Sequence, residues 1–544
     1  MRILLSEIDN IDESLFNRYD KIYFLNLNKF KDKSLPHNIK YIELYKYFMR
    51  SHKTSRELNK LILQNCTLNR SLILSLLKSI DKTIFESIRI IEILRDLQSH
   101  NNVIDVKTKY NDLIMILIKI MNIELINVNF QKYKGKIKLN NKFITNIKSV
   151  FKIMILLYNS FFIKCSKKIN KIFFLYNDTL SYEFIKPYVD SNSKTFPFFT
   201  NKFIIKNWKF KNNNVLNRKF ITFSELLNAC YRYYKNLKNI RESNLPNEIK
   251  EILFSSLLNL EIDSAIFLSL KQKYKNLKTI IGLFDAYNGI DYITYNLNKK
   301  QNIETICIPH GINFKYKVNY ISYGTNIYTF WSRDHFNRLE ESNLLKSENT
   351  KKVITGNIIY KNTLEKIIKN NLESKSILVI GEYFSLDNYY SSPFNEKSTI
   401  RLFETLKNFV KETNKCCVTI RTRLQDGYYR IAKRYESDKI KVSSPEEISL
   451  VDEINKHDLI IAVFSNALHE ALILEKKVIQ VNFLSIENYR DLAKDGLVYY
   501  ATNENELLNL LKKWYNGELK ELNYKFHLKK YCNNGKFEKL KIKD

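Results

Sequence analysis

The chain has 544 residues, of which 44% are hydrophobic and 13% aromatic. At roughly 100–200 residues per domain this length excludes a single small binding module, and the apolar content excludes a disordered or collagen-like chain. The formal charge of +31 favours anionic partners such as nucleotides, nucleic acid or acidic membrane. Abundant Lys, Asn, Ile, Tyr and Phe with scarce Gly and Pro also fit an AT-rich coding bias, so the charge alone does not choose among them.

The N-terminal nine residues turn acidic where a secretory signal would be apolar, so we expect a cytoplasmic protein. The seven cysteines form no CxxC pair, and the sequence predicts neither a zinc motif nor a disulfide framework. The apolar stretch 150–163 is shorter than the ~20 residues of a spanning helix. The apolar and basic segment 143–171 is typical of a helix on an anionic membrane surface or of a buried helix with a basic end.

The first half of the chain is mostly helical in pattern. Residues 70–98 have apolar side chains at three- and four-residue spacing with few breakers, which predicts one or two long packed helices. Short apolar runs at 21–25, 102–106 and 171–176 predict buried strands between the helices.

The second half alternates apolar strand-like runs with amphipathic helical segments. The predicted strands are 279–284, 305–308, 353–356, 376–381, 416–421, 439–442, 458–463 and 478–482. The predicted helices are 401–412, 446–456 and 467–474. Continuous apolar strands separated by helices indicate a parallel sheet covered on both faces.

A polar stretch at 338–352, with little apolar content and no predicted strand, is the best domain seam. We therefore predict an N-terminal α/β domain over 1–345 with a helical insertion at about 50–170, and a compact sheet domain over 350–515. The basic tail, residues 516–544, is a candidate for crossing back to the first domain.

Glycines mark the ends of several predicted strands. Seven of the eleven lie between 282 and 427, and Gly311, Gly356 and Gly381 each close a strand. In parallel sheets the ligand crevice lies beyond these carboxyl ends, where backbone must turn sharply or approach a ligand closely. His310, beside Gly311, suits a hydrogen bond to a phosphate or carbonyl oxygen, and the alternative is a turn histidine bonded to backbone.

Residues 458–482 read as strand, polar turn, short helix and strand. Ser465 and Asn466 are natural helix caps that also donate to phosphate, and Glu470 is placed to accept hydrogen bonds from ribose hydroxyls. The alternative is plain capping with a solvated Glu470.

Arg421 and Arg423 end another predicted strand. Strand alternation places both on one face, which suits bidentate phosphate contacts, although arginines are also common on solvated edges. Glu382 follows the strand before them. With Gly356, these segments predict a nucleotide site at a cleft between two domains.

The order of these segments resembles a known family. A strand ending in Pro309-His310-Gly311 is followed by Thr355-Gly356-Asn357, by 464–472 with Glu470-Ala471-Leu472, and by Lys477-Val478-Ile479. This order is similar to that of bacterial surface-polysaccharide glycosyltransferases of the GT-B fold, including relatives that transfer CMP-linked sugars or glycerol phosphate from CDP-glycerol. The resemblance covers roughly 280–500 and implies two Rossmann-like parallel-sheet domains facing a cleft.

The resemblance implies sugar transfer from a nucleotide-sugar donor to a saccharide or lipid-linked acceptor in capsule or lipopolysaccharide synthesis. No cofactor or obligatory metal is implied, because helix N–H groups and cationic side chains can neutralise the leaving group. His310 is one expected catalytic residue, and Asp285 is the nominated base, with Asp291 and Glu382 as weaker candidates. Such an enzyme is expected in the cytoplasm, at the inner face of an anionic plasma membrane.

Two departures from the family pattern concern the donor site. Arg421-Thr422-Arg423 stands where relatives often have a His-Pro pair, and Ser465-Asn466 replaces a double serine. The alternatives in the same fold are a glycerophosphotransferase and a sugar-nucleotide epimerase. A non-enzymatic nucleic-acid-binding protein is a further alternative, although no nucleic-acid-binding signature is present and Lys is spread evenly along the chain.

Overall fold

A computed structural model describes the chain in segments, and every structural statement below concerns them. They are residues 1–6, 18–24, 39–41, 48–65, 70–98, 102–108, 111–131, 171–175, 195–199, 221–282, 290–309, 324–342, 350–367, 375–381, 396–413, 415–422, 427–444, 447–463, 465–483, 491–538 and 540. Contacts divide the chain into two compact units. The first unit contains Met1–Phe330, Arg338–Val353 and Lys539–Asp544, and the second contains Trp331–Asn337 and Ile354–Glu538.

Seventeen strands and fifteen α-helices lie in these segments. The strands are β1 (Arg2–Ser6), β2 (Lys21–Phe24), β3 (Ile39–Tyr41), β4 (Val103–Lys107), β5 (Val128–Phe130), β6 (Lys171–Leu175), β7 (Thr195–Phe199), β8 (Thr279–Gly282), β9 (Glu304–Cys307), β10 (Ile327–Phe330), β11 (Lys351–Ile354), β12 (Lys375–Ile380), β13 (Cys416–Arg421), β14 (Ile440–Ser443), β15 (Leu459–Ala462), β16 (Lys477–Val481) and β17 (Tyr499–Ala501). The helices are α1 (Phe48–Asn65), α2 (Arg70–Gln98), α3 (Asn111–Ile120), α4 (Phe223–Glu242), α5 (Asn247–Lys273), α6 (Ile290–Gln301), α7 (Arg333–Ser342), α8 (Ile358–Leu364), α9 (Glu396–Glu412), α10 (Gly427–Lys433), α11 (Leu450–Asn455), α12 (Ala467–Ile473), α13 (Asp491–Lys494), α14 (Glu504–Tyr515) and α15 (Tyr524–Tyr531).

The first unit contains two parallel sheets. One has the order β3-β2-β1-β4-β5, and the other has the order β11-β10-β9-β8-β6-β7. Counted from its own first strand, each follows a doubly-wound pattern: 3-2-1-4-5 in the first sheet, and 2-1-3-4-5 with one further strand in the second. In β1 the run Ile3–Leu5 is almost fully buried, as expected for a parallel sheet covered on both faces.

The helices of the first unit include one of membrane-spanning length. Among the described segments, Ile249–Gln272 within α5 is the one helix that is long and apolar enough to cross a membrane, and 65% of its most apolar window is buried inside the protein. Arg232 of α4 donates to Glu261 of α5 at 2.9 Å. A buried core helix can be as long and as apolar as a membrane-spanning one. Because this ion pair is buried within the unit, we describe α5 as a packed core helix.

The second unit contains one parallel sheet, with the order β14-β13-β12-β15-β16-β17. Numbered from β12, this is 3-2-1-4-5-6, the classical order of dinucleotide-binding sheets. The strands β12 and β15 pair in parallel from Ile377↔Leu459 to Ile380↔Ala462. Apolar side chains of α9 and α14 pack against the sheet: Leu402, Phe403, Leu406, Leu507, Leu511 and Trp514.

The α/β class with parallel sheets is confirmed. The residues assigned in the sequence to one N-terminal domain contain two sheets, because strands before residue 131 pair with one another. The seam 338–352 was predicted to contain no strand, and this is wrong at its end, where β11 begins at Lys351. Residues 516–538 belong to the second unit. The proposed domain limits of 345 and 350 stay predictions.

Candidate functional site

The sheet of the second unit reverses its strand order between β12 and β15. In open parallel sheets the chain leaves two such neighbouring strands in opposite directions, and this leaves a crevice beyond their carboxyl ends. The described residues at this edge are Gly381 after β12, and Val463, Ser465 and Asn466 after β15. The candidate site is therefore built from these residues and from α12, which follows β15.

Gly381 sits in a position that only glycine fits. Its backbone N–H donates to the carbonyl of Arg421 at 2.8 Å, which continues the pairing of β12 with β13. A Cβ at this position would lie 2.7 Å from the Tyr428 ring and 2.9 Å from the Arg421 carbonyl oxygen. The glycine thus keeps the backbone of this edge close to β13.

The polar turn before α12 is capped by one of its two candidate residues. The Ser465 hydroxyl accepts a hydrogen bond from the backbone N–H of Ala467 at 3.3 Å. The Asn466 side chain makes no capping hydrogen bond. Ser465 therefore has the structural role considered in the sequence analysis, and the Asn466 amide is not used by the helix end.

Glu470 lies one turn into α12 and is half-buried. Among the described residues its carboxylate makes no hydrogen bond. Burial raises the pKa of Glu470 to about 7, and the Arg421 guanidinium opposes this shift. A carboxylate in this position retains its capacity to accept hydrogen bonds from a ligand.

Arg421 ends β13 and is buried in an ion pair. Its Nη1 donates to Glu453 of α11, and both side chains are at most 9% exposed. This partner was not identified from the sequence, although Glu453 falls within the predicted helix 446–456. The guanidinium charge is thus balanced inside the unit, next to the candidate site.

Gly356 lies in the turn between β11 and α8, with φ at +79°. A Cβ here would collide with the carbonyl oxygen of Lys536. The Glu538 backbone N–H donates to the Thr355 carbonyl at 2.8 Å, and Asn357 Oδ1 caps α8 by accepting from the Ile359 N–H at 2.9 Å. The close approach that requires glycine at this turn is made by the C-terminal segment of the chain itself.

Several predicted site residues lie outside the described segments. These are Asp285, His310, Gly311, Glu382 and Arg423. Their roles stay predictions. Asp291, the weaker candidate for the base, is fully buried in the first turn of α6.

Comparison with known proteins finds no matching family model and no matching curated protein. Similar solved structures include the S. aureus MnaA–UDP complex, with a TM-score of 0.42 and 11% identity over 68% of this chain and 93% of that chain. The wall teichoic acid polymerase TagF, soaked with CDPG, has a TM-score of 0.40 and 12% identity over 74% of this chain and 95% of that chain. A glycosyltransferase from Rickettsia africae has a TM-score of 0.39 and 12% identity over 68% and 96% of the two chains. At these values the similarity assigns neither a family nor an activity to this chain.

Proposed function

We propose that this protein is an enzyme that uses a nucleotide-activated donor and that the second unit binds the nucleotide. The observation that carries the proposal is the 3-2-1-4-5-6 strand order, with Gly381 and residues 465–470 at the reversal point. This is the edge at which doubly-wound sheets bind nucleotides. The Glu470 carboxylate, which makes no hydrogen bond among the described residues, is an acceptor suited to ribose hydroxyls.

We further propose that the reaction is glycosyl transfer to a saccharide or lipid-linked acceptor in surface-polysaccharide synthesis. The support is the order of motifs from His310 to Ile479, which resembles that of GT-B glycosyltransferases. The acceptor hydroxyl attacks the sugar, its proton passes to a base such as Asp285, and the bond from the sugar to the nucleotide breaks. His310, Arg423 and the Asn466 amide are the proposed donors to the charge that develops on the leaving nucleotide.

The proposed setting is the cytoplasm, at the inner face of the plasma membrane. The charge of +31 supports attraction to an anionic surface, where a lipid-linked acceptor would lie. No metal is required for the proposed transfer, since the cationic and N–H donors supply the countercharge.

The binding proposal is tested with Glu470→Gln, which keeps the side-chain volume and removes the carboxylate charge. Wild-type protein should gain thermal stability with one of CMP, CDP, UDP or GDP, because a ligand of the folded state stabilises it by mass action, by about 2.7 kcal/mol at a hundredfold excess over Kd. We expect Glu470→Gln to bind that nucleotide at least about tenfold more weakly, the effect of losing about 1.4 kcal/mol. Titration by calorimetry measures the affinity directly.

The matched control is Glu412→Gln, an exposed glutamate at the end of α9 in the same unit, whose ion pair with Lys512 is on the surface. This variant should bind the nucleotide as wild type does. The proposal fails if none of the four nucleotides stabilises the protein, or if the two variants bind equally well.

The reaction class is tested with the donor that the binding screen selects. Release of free nucleotide only when an acceptor is added supports glycosyl transfer. Isomerisation of the sugar without an acceptor would instead identify an epimerase, and release of CMP from CDP-glycerol would identify a glycerophosphotransferase.

A further inference from the structure

Two histidines and a cysteine meet in the interior of the second unit. His469 lies on α12, His527 on α15, and Cys532 directly after α15. His469 Nδ1 is 2.9 Å from His527 Nε2, and Cys532 Sγ is 3.9 Å from both ring nitrogens of His527. One ligand atom from each residue lies within 4.8 Å of the others, and the three residues are at most 8% exposed.

These distances match the dimensions of a small metal site. Tetrahedral Zn²⁺ has bonds of ~2.0–2.1 Å to imidazole nitrogen and ~2.3 Å to thiolate sulfur, so its ligand atoms stand roughly 3.3–3.6 Å apart. The observed separations of 2.9 and 3.9 Å lie on either side of that value. Shifts of a few tenths of an ångström would bring the nitrogen and sulfur atoms of these two contacts to coordinating distances. The third pair, His469 with Cys532, lies within 4.8 Å and needs a shift of at most about 1.3 Å.

The surroundings also fit a metal site. The Tyr360 hydroxyl is buried without a partner among the described residues. The centroid of its ring lies 6.0 Å from the centroid of the His469 ring. Tyr360 is thus a buried polar neighbour of the cluster.

We propose that His469, His527 and Cys532 form a buried zinc site that fastens α15 to α12. Binding would release the thiol proton of Cys532 to solvent and leave a thiolate on the metal. The proposal does not require the proposed nucleotide site, although His469 precedes Glu470 on α12, because it concerns how the C-terminal segment is held. The competing arrangement, a hydrogen-bonded pair of imidazoles beside a thiol, is an outcome of the test.

The sequence gives little signal for this site. His469 and His527 are 58 residues apart, and only the interval from His527 to Cys532 is short. Zinc motifs are recognised when ligands come in two closely spaced pairs. Here the fold alone brings the ligands together.

The first test measures metal in full-length protein purified without a polyhistidine tag. Elemental analysis should find about one zinc per chain in the wild type and less than about a tenth of that in Cys532→Ser and in His527→Asn. The matched control is Cys416→Ser, which alters another buried cysteine of the same unit. This control should keep its zinc.

The second test needs no variant, so it holds even if the substituted proteins fail to fold. Wild-type protein is stripped with a chelator and titrated with Co²⁺, which should give the absorption of a tetrahedral cobalt site with a thiolate charge-transfer band. Another metal at one per chain would overturn the zinc assignment. Wild-type protein with substoichiometric metal and no cobalt–thiolate band would overturn the site and leave the imidazole pair.

Discussion

Two strand-to-helix turns of the second unit look alike in the sequence and differ in the structure. The turn at 355–357 connects β11 to α8, and the turn that contains Ser465 and Asn466 lies between β15 and α12. In the first, the C-terminal segment lies against Gly356 and hydrogen-bonds Thr355. In the second, Ser465 caps the helix while the Asn466 side chain makes no capping bond. A glycine at a strand end therefore does not by itself mark a ligand, since the chain's own backbone can require it.

The largest expected effect tests the first turn. Gly356→Ala should destabilise the second unit by about 4 kcal/mol, because it combines a left-handed backbone with a collision against the Lys536 carbonyl. Urea denaturation followed by tryptophan fluorescence measures it, since Trp331 and Trp514 are buried in this unit.

The control for this substitution is Gly517→Ala. Gly517 has φ at +80°, and a Cβ there would meet nothing within 4 Å. This variant should lose only the stability that a side chain on a left-handed backbone costs, about 1 kcal/mol. Equal losses of unfolding free energy in both variants would contradict the collision with Lys536. A weaker nucleotide affinity with normal stability in Gly356→Ala would show that Gly356 serves a ligand instead.

A smaller loss of stability is expected from a substitution at the end of β13. Arg421→Met should destabilise the second unit by about 3 kcal/mol, because it leaves the buried Glu453 carboxylate without its ion-pair partner. The double variant Arg421→Met, Glu453→Leu should recover most of this loss, as measured by the same denaturation. A double variant no more stable than the single one would show that Arg421 acts on something other than Glu453.

The smallest expected effects on stability distinguish the roles of Asn357 and Asn466. Asn357→Ala should cost about 1 kcal/mol, because it removes the cap of α8. Asn466→Ala should change stability by less than about 0.5 kcal/mol and weaken nucleotide binding, because its amide does not cap α12. An Asn466→Ala variant that loses stability while binding nucleotide normally would reverse this assignment.

The central strands could be predicted from the sequence because both of their faces are buried. The runs at 376–381, 416–421 and 458–463 agree with β12, β13 and β15 to within one residue at each end. Edge strands carry a weaker signal. β17 has three residues, and β7 contains Pro197, which is tolerated because this strand is at the edge of its sheet.

The site was predicted less completely than the fold. The strand ends and the position of Glu470 one turn into the helix after β15 follow from the alternation of strands and helices. The partner of Arg421 and the contact of Gly356 with Lys536 are tertiary, and joining residues 32 and 180 positions apart leaves no local pattern. The same reason applies to the cluster of His469, His527 and Cys532.

The pairing of β1 with β4 has a consequence for synthesis of the protein. Arg2 is opposite Val103, and Ser6 is opposite Lys107, so one central neighbour of the first strand is encoded about a hundred residues later. At about 5–20 residues per second, the nascent chain carries an apolar strand with an open edge on the ribosome for roughly 5–20 s. Chaperone binding to the newly synthesised β1 segment should therefore affect the yield of folded protein.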